Sequence, residues 1–155
     1  MMEDGSLSPS RTFELRRIMP EQIASQWPVV EKLLLERPGF WDQLLTLEAI
    51  EQHLSSGGFQ LWIVYLDDKR FLFVMSQVII YPACRVLKFF WASGNGLEDY
   101  IWALVDTMNQ VAFDLGCTHM EMEVGRKGWG AKMRPFGVSL SRQILRKEVI
   151  EYRRQ

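Results

Sequence analysis

The sequence predicts a mixed α/β domain with a central mixed sheet of about six strands and flanking helices. Helical periodicity in the first third of the chain changes to β-rich runs from residue 60. A helical stripe without gaps over residues 97–115 then separates two strand-like runs, 85–92 and 119–124. Two strands joined by one long helix most simply form a parallel, right-handed crossover, here added to an antiparallel meander.

Two helices are predicted before the sheet. Pro20 opens the first, and Pro28 is expected to kink or divide it because proline lacks an N–H donor. The Arg-Pro-Gly sequence at 37–39 ends this helix. Thr46 is the expected N-cap of the second helix, which stops at the Ser-Ser-Gly-Gly sequence 55–58.

An antiparallel group of strands is predicted from segments that precede and follow these helices in the chain. Residues 13–16 alternate as a short strand, and β-rich runs follow at 60–66 and 71–81. The polar sequence 67–70 between those runs is a hairpin signal, and a third run follows at 85–92.

The last part of the chain completes the predicted sheet. Gly116 is a natural stop for the helix 97–115, and residues 119–124 alternate strictly as a strand. A short helix at 128–134 and a final strand at 138–149 follow. These elements place one domain in residues 12–155, after a flexible tail at 1–11 that is rich in serine and glycine.

Charge balance, apolar run lengths and cysteine spacing each exclude a class of function or location. With 18 Lys and Arg against 19 Asp and Glu, the chain carries no excess of positive charge, so nucleic-acid binding is not predicted. There is no apolar run long enough for a signal core or a membrane span, which predicts a soluble protein without a membrane partner. Cys84 and Cys117 have no Cys-x-x-Cys spacing and are expected to be buried reduced thiols, as in the reducing cytoplasm.

The connection between run 85–92 and the following helix contains Gly94 and Gly96. Glycines leave the backbone N–H groups of such a turn open, and the positive end of the helix dipole lies directly behind them. This arrangement is a receptor for phosphate. The same residues also suit an ordinary strand-to-helix connection, and the sequence leaves both interpretations open.

The order of elements, this turn and the Phe136-Gly137 pair before the last strand resemble the GCN5-related N-acetyltransferase (GNAT) superfamily, over roughly residues 12–149. In that family the turn reads Gln/Arg-x-x-Gly-x-Gly/Ala and holds the pyrophosphate of acetyl-CoA, whereas here it begins with Trp91. The resemblance implies a cofactor site formed by backbone amides and one basic side chain. The residues it points to are Gly94, Asn95, Gly96, Leu97 and Glu98, with Arg126 or Lys127 as the compensating cation.

Three features depart from the family pattern. Two are departures in residue type: Trp91 replaces a polar residue, and Met133 stands where many members carry a tyrosine acid. The third is electrostatic, because Glu98 and Asp99 stabilise an empty helix end and would repel a dianion placed there. The sequence Gly-Arg-Lys-Gly-Trp at 125–129 is similar to that of divergent tailed-bacteriophage members. The resemblance therefore implies a catalytically degenerate protein, made in the host cytoplasm, that acts by protein contacts in a virion or its assembly. An active acetyl-CoA-dependent N-acetyltransferase acting on a primary amine is the alternative.

Glu121 and Glu123 share one face of the strand with His119, by the two-residue period. Either carboxylate is a candidate general base for deprotonating an amine. The alternative is a polar strand face that pairs with arginine and lysine. His53 is the other histidine of the chain, and this pair predicts no metal site.

Four aromatic residues are candidates for a partner interface. Trp102 and Phe113 are eleven residues apart, three helical turns, and lie off the main apolar stripe of their helix. Left near the surface they would be interface anchors, and on a broadly buried helix they would belong to the core. Phe40 and Trp41 are predicted either to line a substrate cleft or to dock a partner.

Overall fold

A computed structural model of the chain describes residues 13–93, 100–123, 134–139 and 144–149. Its centre is a sheet whose five described strands lie side by side in chain order. The elements are β1 (Phe13–Ile18), α1 (Ile23–Glu36), α2 (Leu47–Ser56), β2 (Phe59–Leu66), β3 (Lys69–Ile80), β4 (Arg85–Ala92), α3 (Ile101–Asp114) and β5 (His119–Met122), with short 3-10 helices at Pro20–Gln22, Pro38–Phe40 and Arg134–Phe136.

The predicted mixed sheet is confirmed. Strands β1 to β4 form an antiparallel meander, and β5 pairs with β4 in parallel, from Val86 opposite His119 to Phe89 opposite Met122. Helix α3 is the crossover between these two parallel strands. The C-terminal ends of β4 and β5 therefore point to the same edge of the sheet.

The two faces of the sheet carry separate cores. Helices α1 and α2 cover one face, where Leu61 and Ile63 of β2 are buried against them. Helix α3 covers the other face, where Trp62 and Val64 of the same strand are buried. Because both faces are covered, β2 reads as a continuous apolar run instead of an alternating one.

A β-bulge in β4 sets the direction of its last side chains. The β3 partner of Trp91 is Met75, whereas the next β3 residue, Ser76, lies opposite Phe89. Phe90 is therefore the extra residue, and both Phe90 and Trp91 lie in the core under α1 and α2. Trp91 is 4% exposed, so the aromatic at the polar position of the family motif is part of the core.

Helix α1 is continuous through Pro28, so the predicted division does not occur. Apolar residues on both sides of the proline hold the helix to the sheet. Trp27, Val30 and Leu34 are all buried in the core beneath it. Tertiary packing of this stripe offsets the hydrogen bond that the proline removes.

The C-terminal part of the predicted architecture differs from the structure. The sequence predicts a final strand over residues 138–149, but residues 144–149 have no regular secondary structure. The large apolar side chains here are not buried: Leu145 is 96% exposed and Val149 is 92% exposed. Of the short helix predicted at 128–134, the described part is a 3-10 turn that begins at Arg134.

The two cysteines are free and half-buried, which is less burial than the sequence predicts. Partial burial raises the pKa of the Cys117 thiol, so this thiol is less reactive at neutral pH than an exposed one.

The hairpin between β2 and β3 turns on Asp67 and Asp68, both with positive φ, 53° and 66°. Two left-handed residues in a two-residue loop form the turn that best fits the twist of a hairpin, and glycine is favoured there. We expect Asp68→Gly to raise the free energy of unfolding by about 0.5–1 kcal/mol and Asp68→Ala to lower it. Urea denaturation measures both. The two variants lose the same weak contact to Arg16, so a stabilising alanine would contradict the backbone explanation.

Candidate functional site

The site is built where β4 and β5 end. Ser93 follows β4 and is fixed to β3 from both sides: its N–H donates to the carbonyl oxygen of Phe73 at 2.9 Å, and its hydroxyl accepts from the N–H of Phe73 at 2.9 Å. This buried double contact defines where β4 leaves the sheet. The residues predicted to hold the cofactor begin immediately after it. Gly94, Asn95, Gly96, Leu97, Glu98 and Arg126, with Lys127, Asp99 and Met133, lie outside the described residues, and their contacts stay predictions.

Helix α3 begins beside this connection, and its N-terminus lies against β1. The ring of Tyr100, the residue before the helix, is 6.4 Å from the ring of Phe13. Tyr100 gives no side-chain hydrogen bond to the first amides of α3. The residues that precede Tyr100 lie outside the described part of the chain, so phosphate binding at the start of this helix stays a prediction.

The two candidate carboxylates, Glu121 in β5 and Glu123 just after it, lie next to Lys88 of β4. Lys88 is opposite Glu121 in the parallel register, and its Nζ is 2.8 Å from Oε1 of Glu123. The N–H of Glu123 donates to the carbonyl oxygen of Phe89 at 2.9 Å, which continues the strand pairing by one residue. Glu123 therefore has a lysine partner, and its role as a general base stays a prediction.

A second ion pair lies beside this one. Arg146 donates from Nη1 and Nη2 to the two carboxylate oxygens of Asp42, at 2.9 and 2.6 Å, across 104 residues of sequence. The N–H of Leu44 also donates to Oδ1 of Asp42 at 3.0 Å. The charges of the two pairs also act on each other, Lys88 on Asp42 and Glu123 on Arg146. We call these four residues, Asp42, Lys88, Glu123 and Arg146, the charge quartet.

The hydrogen bonds from Arg146, followed by the one from Leu44, hold the pKa of Asp42 below its ordinary value of 3.8. A lowered folded-state pKa means that the contact is fully formed above the ordinary value. It is lost only as the pH falls through the lower folded-state value. The Asp42–Arg146 pair therefore persists through neutral and mildly acidic conditions.

Three members of the quartet, Asp42, Glu123 and Arg146, line an open cavity of about 480 Å³. Trp41 is anchored in its wall, because its Nε1 donates to the carbonyl oxygen of Leu34 at 2.9 Å. The guanidinium of Arg37 lies 5.3 Å from the centre of the Phe40 ring. The lining residues are Gly39, Phe40, Trp41, Asp42, Gln43, Glu123, Ile144 and Arg146. Phe40 and Trp41 both line this cavity, and the choice between a substrate cleft and a partner-docking site stays a prediction.

Trp102 and Phe113 lie on the outer face of α3, and their side chains are 56% and 74% exposed. This is the outcome expected if the sheet takes the main apolar stripe of the helix. Trp102 also borders a second open cavity, of about 760 Å³, together with His119 and Glu121 of β5. Trp102 thus borders a different cavity from the one that Asp42, Glu123 and Arg146 line.

Sequence reasoning missed three members of the quartet. Lys88 had a usable signal, since it is the single charged residue in the otherwise apolar run from Val86 to Ala92. Asp42 and Arg146 had no such signal in the sequence, because acidic and basic residues are common on protein surfaces and only the fold brings these two together.

Two searches of the described residues give negative findings. None of their helices combines the length and the apolar character that a membrane crossing needs. In the same part of the chain, no three histidine, cysteine or acidic side chains are grouped in a way that could hold a metal ion.

The sequence matches no protein-family model and no curated protein. The structure resembles solved acetyltransferases over nearly their whole length. One is a possible acetyltransferase from Clostridium difficile 630, with 13% identity and a TM-score of 0.57 over 90% of this chain and 99% of that chain. Another, from Clostridium acetobutylicum, was solved with acetyl-CoA and has 11% identity and a TM-score of 0.58 over 88% and 96%.

A third is an aminoglycoside acetyltransferase from an uncultured soil metagenomic sample, in complex with sisomicin, with 12% identity and a TM-score of 0.58 over 90% and 97%. These likenesses show the fold: this chain has the fold of the GNAT acetyltransferases. The fold by itself does not assign an activity.

Proposed function

We propose that this protein is an acetyl-CoA-dependent N-acetyltransferase that acts on a primary amine. The observation that carries the proposal is the parallel β4–α3–β5 unit, whose connection contains Gly94 and Gly96. It lies within a fold shared from end to end with acetyltransferases, one of them solved with acetyl-CoA.

In this proposal the amides of residues 94–98 hold the pyrophosphate at the start of α3, with Arg126 as the nearby cation. Acetyl-CoA, when bound, supplies a thioester whose acetyl group passes to the amine nitrogen as the carbon–sulfur bond breaks. The chain positions the amine beside that group, which removes much of the entropic barrier without a covalent enzyme intermediate. The sulfur leaves as a thiolate that takes a proton from solvent.

We assign the proton lost by the amine to Glu123, directly or through one water molecule. Glu123 borders the cavity just after the C-terminal end of β5, whereas Glu121 borders the other cavity. The contact with Lys88 fixes the position of the Glu123 carboxylate. Glu121 is therefore the matched control on the same strand face.

We expect Glu123→Gln to lower kcat for a primary amine by about 100-fold, because the amide keeps the shape and loses the base. Glu121→Gln is expected to change kcat by less than about threefold. Initial-rate kinetics with acetyl-CoA and a panel of primary amines measure both. A larger loss in Glu121→Gln would move the base to that residue, and equal activity in both variants would exclude a carboxylate base on this strand face.

A second candidate function is an assembly protein of the tailed-phage type that works by protein contacts. The exposed aromatic pair on α3, Trp102 and Phe113, favours it. Calorimetric titration with acetyl-CoA separates the two functions. Saturable binding in the micromolar range supports the acetyltransferase, and the absence of binding supports the contact protein.

A further inference from the structure

We propose that Arg146 occupies a cation site of the acceptor cavity, so that the preferred acceptor is a diamine whose second, charged amino group replaces Arg146 on Asp42. This inference rests on the proposed function, since it names the acceptor class for the same site. It is carried by the geometry of the Asp42–Arg146 pair and by the exposure of the segment that bears Arg146.

Asp42 is a fixed anion. Its carboxylate accepts the N–H of Leu44, and its neighbour Trp41 is anchored to α1 through Leu34. The side-chain amide of Gln43 donates to the carbonyl oxygens of Pro38 and Trp41, which ties the loop to itself. A carboxylate held in this way keeps its position when its cation leaves.

Arg146, in contrast, is on a segment whose described side chains are largely exposed. Residues 144–149 form no regular structure, and Ile144, Leu145 and Val149 are 65%, 96% and 92% exposed. The segment is joined to the 39–43 loop by the bidentate pair with Asp42, and Ile144 lines the same cavity. The Arg146 side chain is 53% exposed, so solvent reaches the guanidinium and a competing cation can exchange with it on Asp42.

Two carboxylates of the quartet face the same cavity, Asp42 from the loop and Glu123 from the end of β5. An acceptor with one amino group takes its reacting nitrogen to Glu123 and leaves the Asp42 pair as it is. An acceptor with a second, protonated amino group gains the Asp42 contact as well. Charge complementarity therefore favours diamines over monoamines in this cavity.

The experiment compares 1,5-diaminopentane with 1-aminopentane, without acetyl-CoA, by NMR titration of the Trp41 indole N–H and by amide hydrogen exchange of residues 144–149. In the unmodified protein we expect the diamine, and not the monoamine, to speed exchange in that segment. Arg146→Ala removes the competing cation and is expected to tighten diamine binding about three- to fivefold.

Asp42→Asn frees the same segment but removes the anion, so the preference for the diamine is expected to disappear. Lys147→Ala is the matched control, because it removes one positive charge from the same segment outside the quartet. Its diamine affinity should equal that of the unmodified protein.

An unchanged diamine affinity in Arg146→Ala, or a preference that survives Asp42→Asn, would overturn the proposal. Because these measurements need no cofactor, they are independent of the proposed function. If the protein binds diamines as described but does not bind acetyl-CoA, the cation site on Asp42 is supported and the proposed acetyltransferase function is contradicted.

Discussion

Replacing Ser76 with alanine is expected to lower the free energy of unfolding by about 2–4 kcal/mol. Ser76 is fully buried and its hydroxyl joins two side chains of β2. It accepts from Nε1 of Trp62 at 2.9 Å and donates to Oε1 of Gln60 at 2.9 Å. Alanine leaves a buried donor and a buried acceptor without their partner, and no water is expected to replace a hydroxyl enclosed by the core.

Urea denaturation of the variant measures this loss. Ser55→Ala is the matched control, the same chemical change at an exposed position of α2, and is expected to alter stability by less than about 0.5 kcal/mol. In the double variant with Trp62→Phe, the orphaned indole N–H is gone, so the two effects should not add. If the two losses of unfolding free energy add, Ser76 and Trp62 are not energetically coupled.

Gly94→Val is expected to weaken acetyl-CoA binding by more than about tenfold and to reduce acetyl transfer in proportion. A β-branched side chain at the first glycine of the connection stands over the amides that the proposal assigns to the pyrophosphate. Calorimetric titration measures the affinity, and a thermal melt checks that the variant is folded.

Acetyl-pantetheine, which lacks the pyrophosphate, is the ligand control for this variant. Its affinity should be the same in the unmodified protein and in Gly94→Val if the amides contact phosphate oxygens alone. An undiminished affinity for acetyl-CoA in Gly94→Val would move the phosphate site away from this connection. The proposed function would then lose its cofactor site.

The sequence is a good guide to the elements and to one tertiary relation. The helical stripe between two strand patterns predicts the parallel pairing of β4 and β5, because a long helix can join adjacent strands only by crossing over one face. Thr46 is recognisable as an N-cap, and its hydroxyl accepts the N–H of Ala49 at 3.0 Å. Such contacts are local, so the residue types alone specify them.

Prediction is weaker where packing overrides a local preference. Pro28 reads as a break, yet buried residues on both sides hold α1 together. No glycine in the sequence indicates the bulge at Phe90. The bulge turns the Trp91 side chain into the core, where it is buried. The apolar residues of 144–149 read as a strand, but without a core to receive them they remain exposed.

Sequence alone determined the fold class and the crossover, because hydrophobic period and chain order are properties of neighbouring residues, whereas the exposure of Trp102 and Phe113 was left open and was decided by the structure. The tertiary structure decided the charge quartet. Its members stand at positions 42, 88, 123 and 146, and come from a loop, two neighbouring strands and an irregular segment. Any acidic side chain can pair with any basic one, so no local pattern selects these partners. Only the folded backbone, by fixing which side chains come within a few ångströms, places two carboxylates on one cavity.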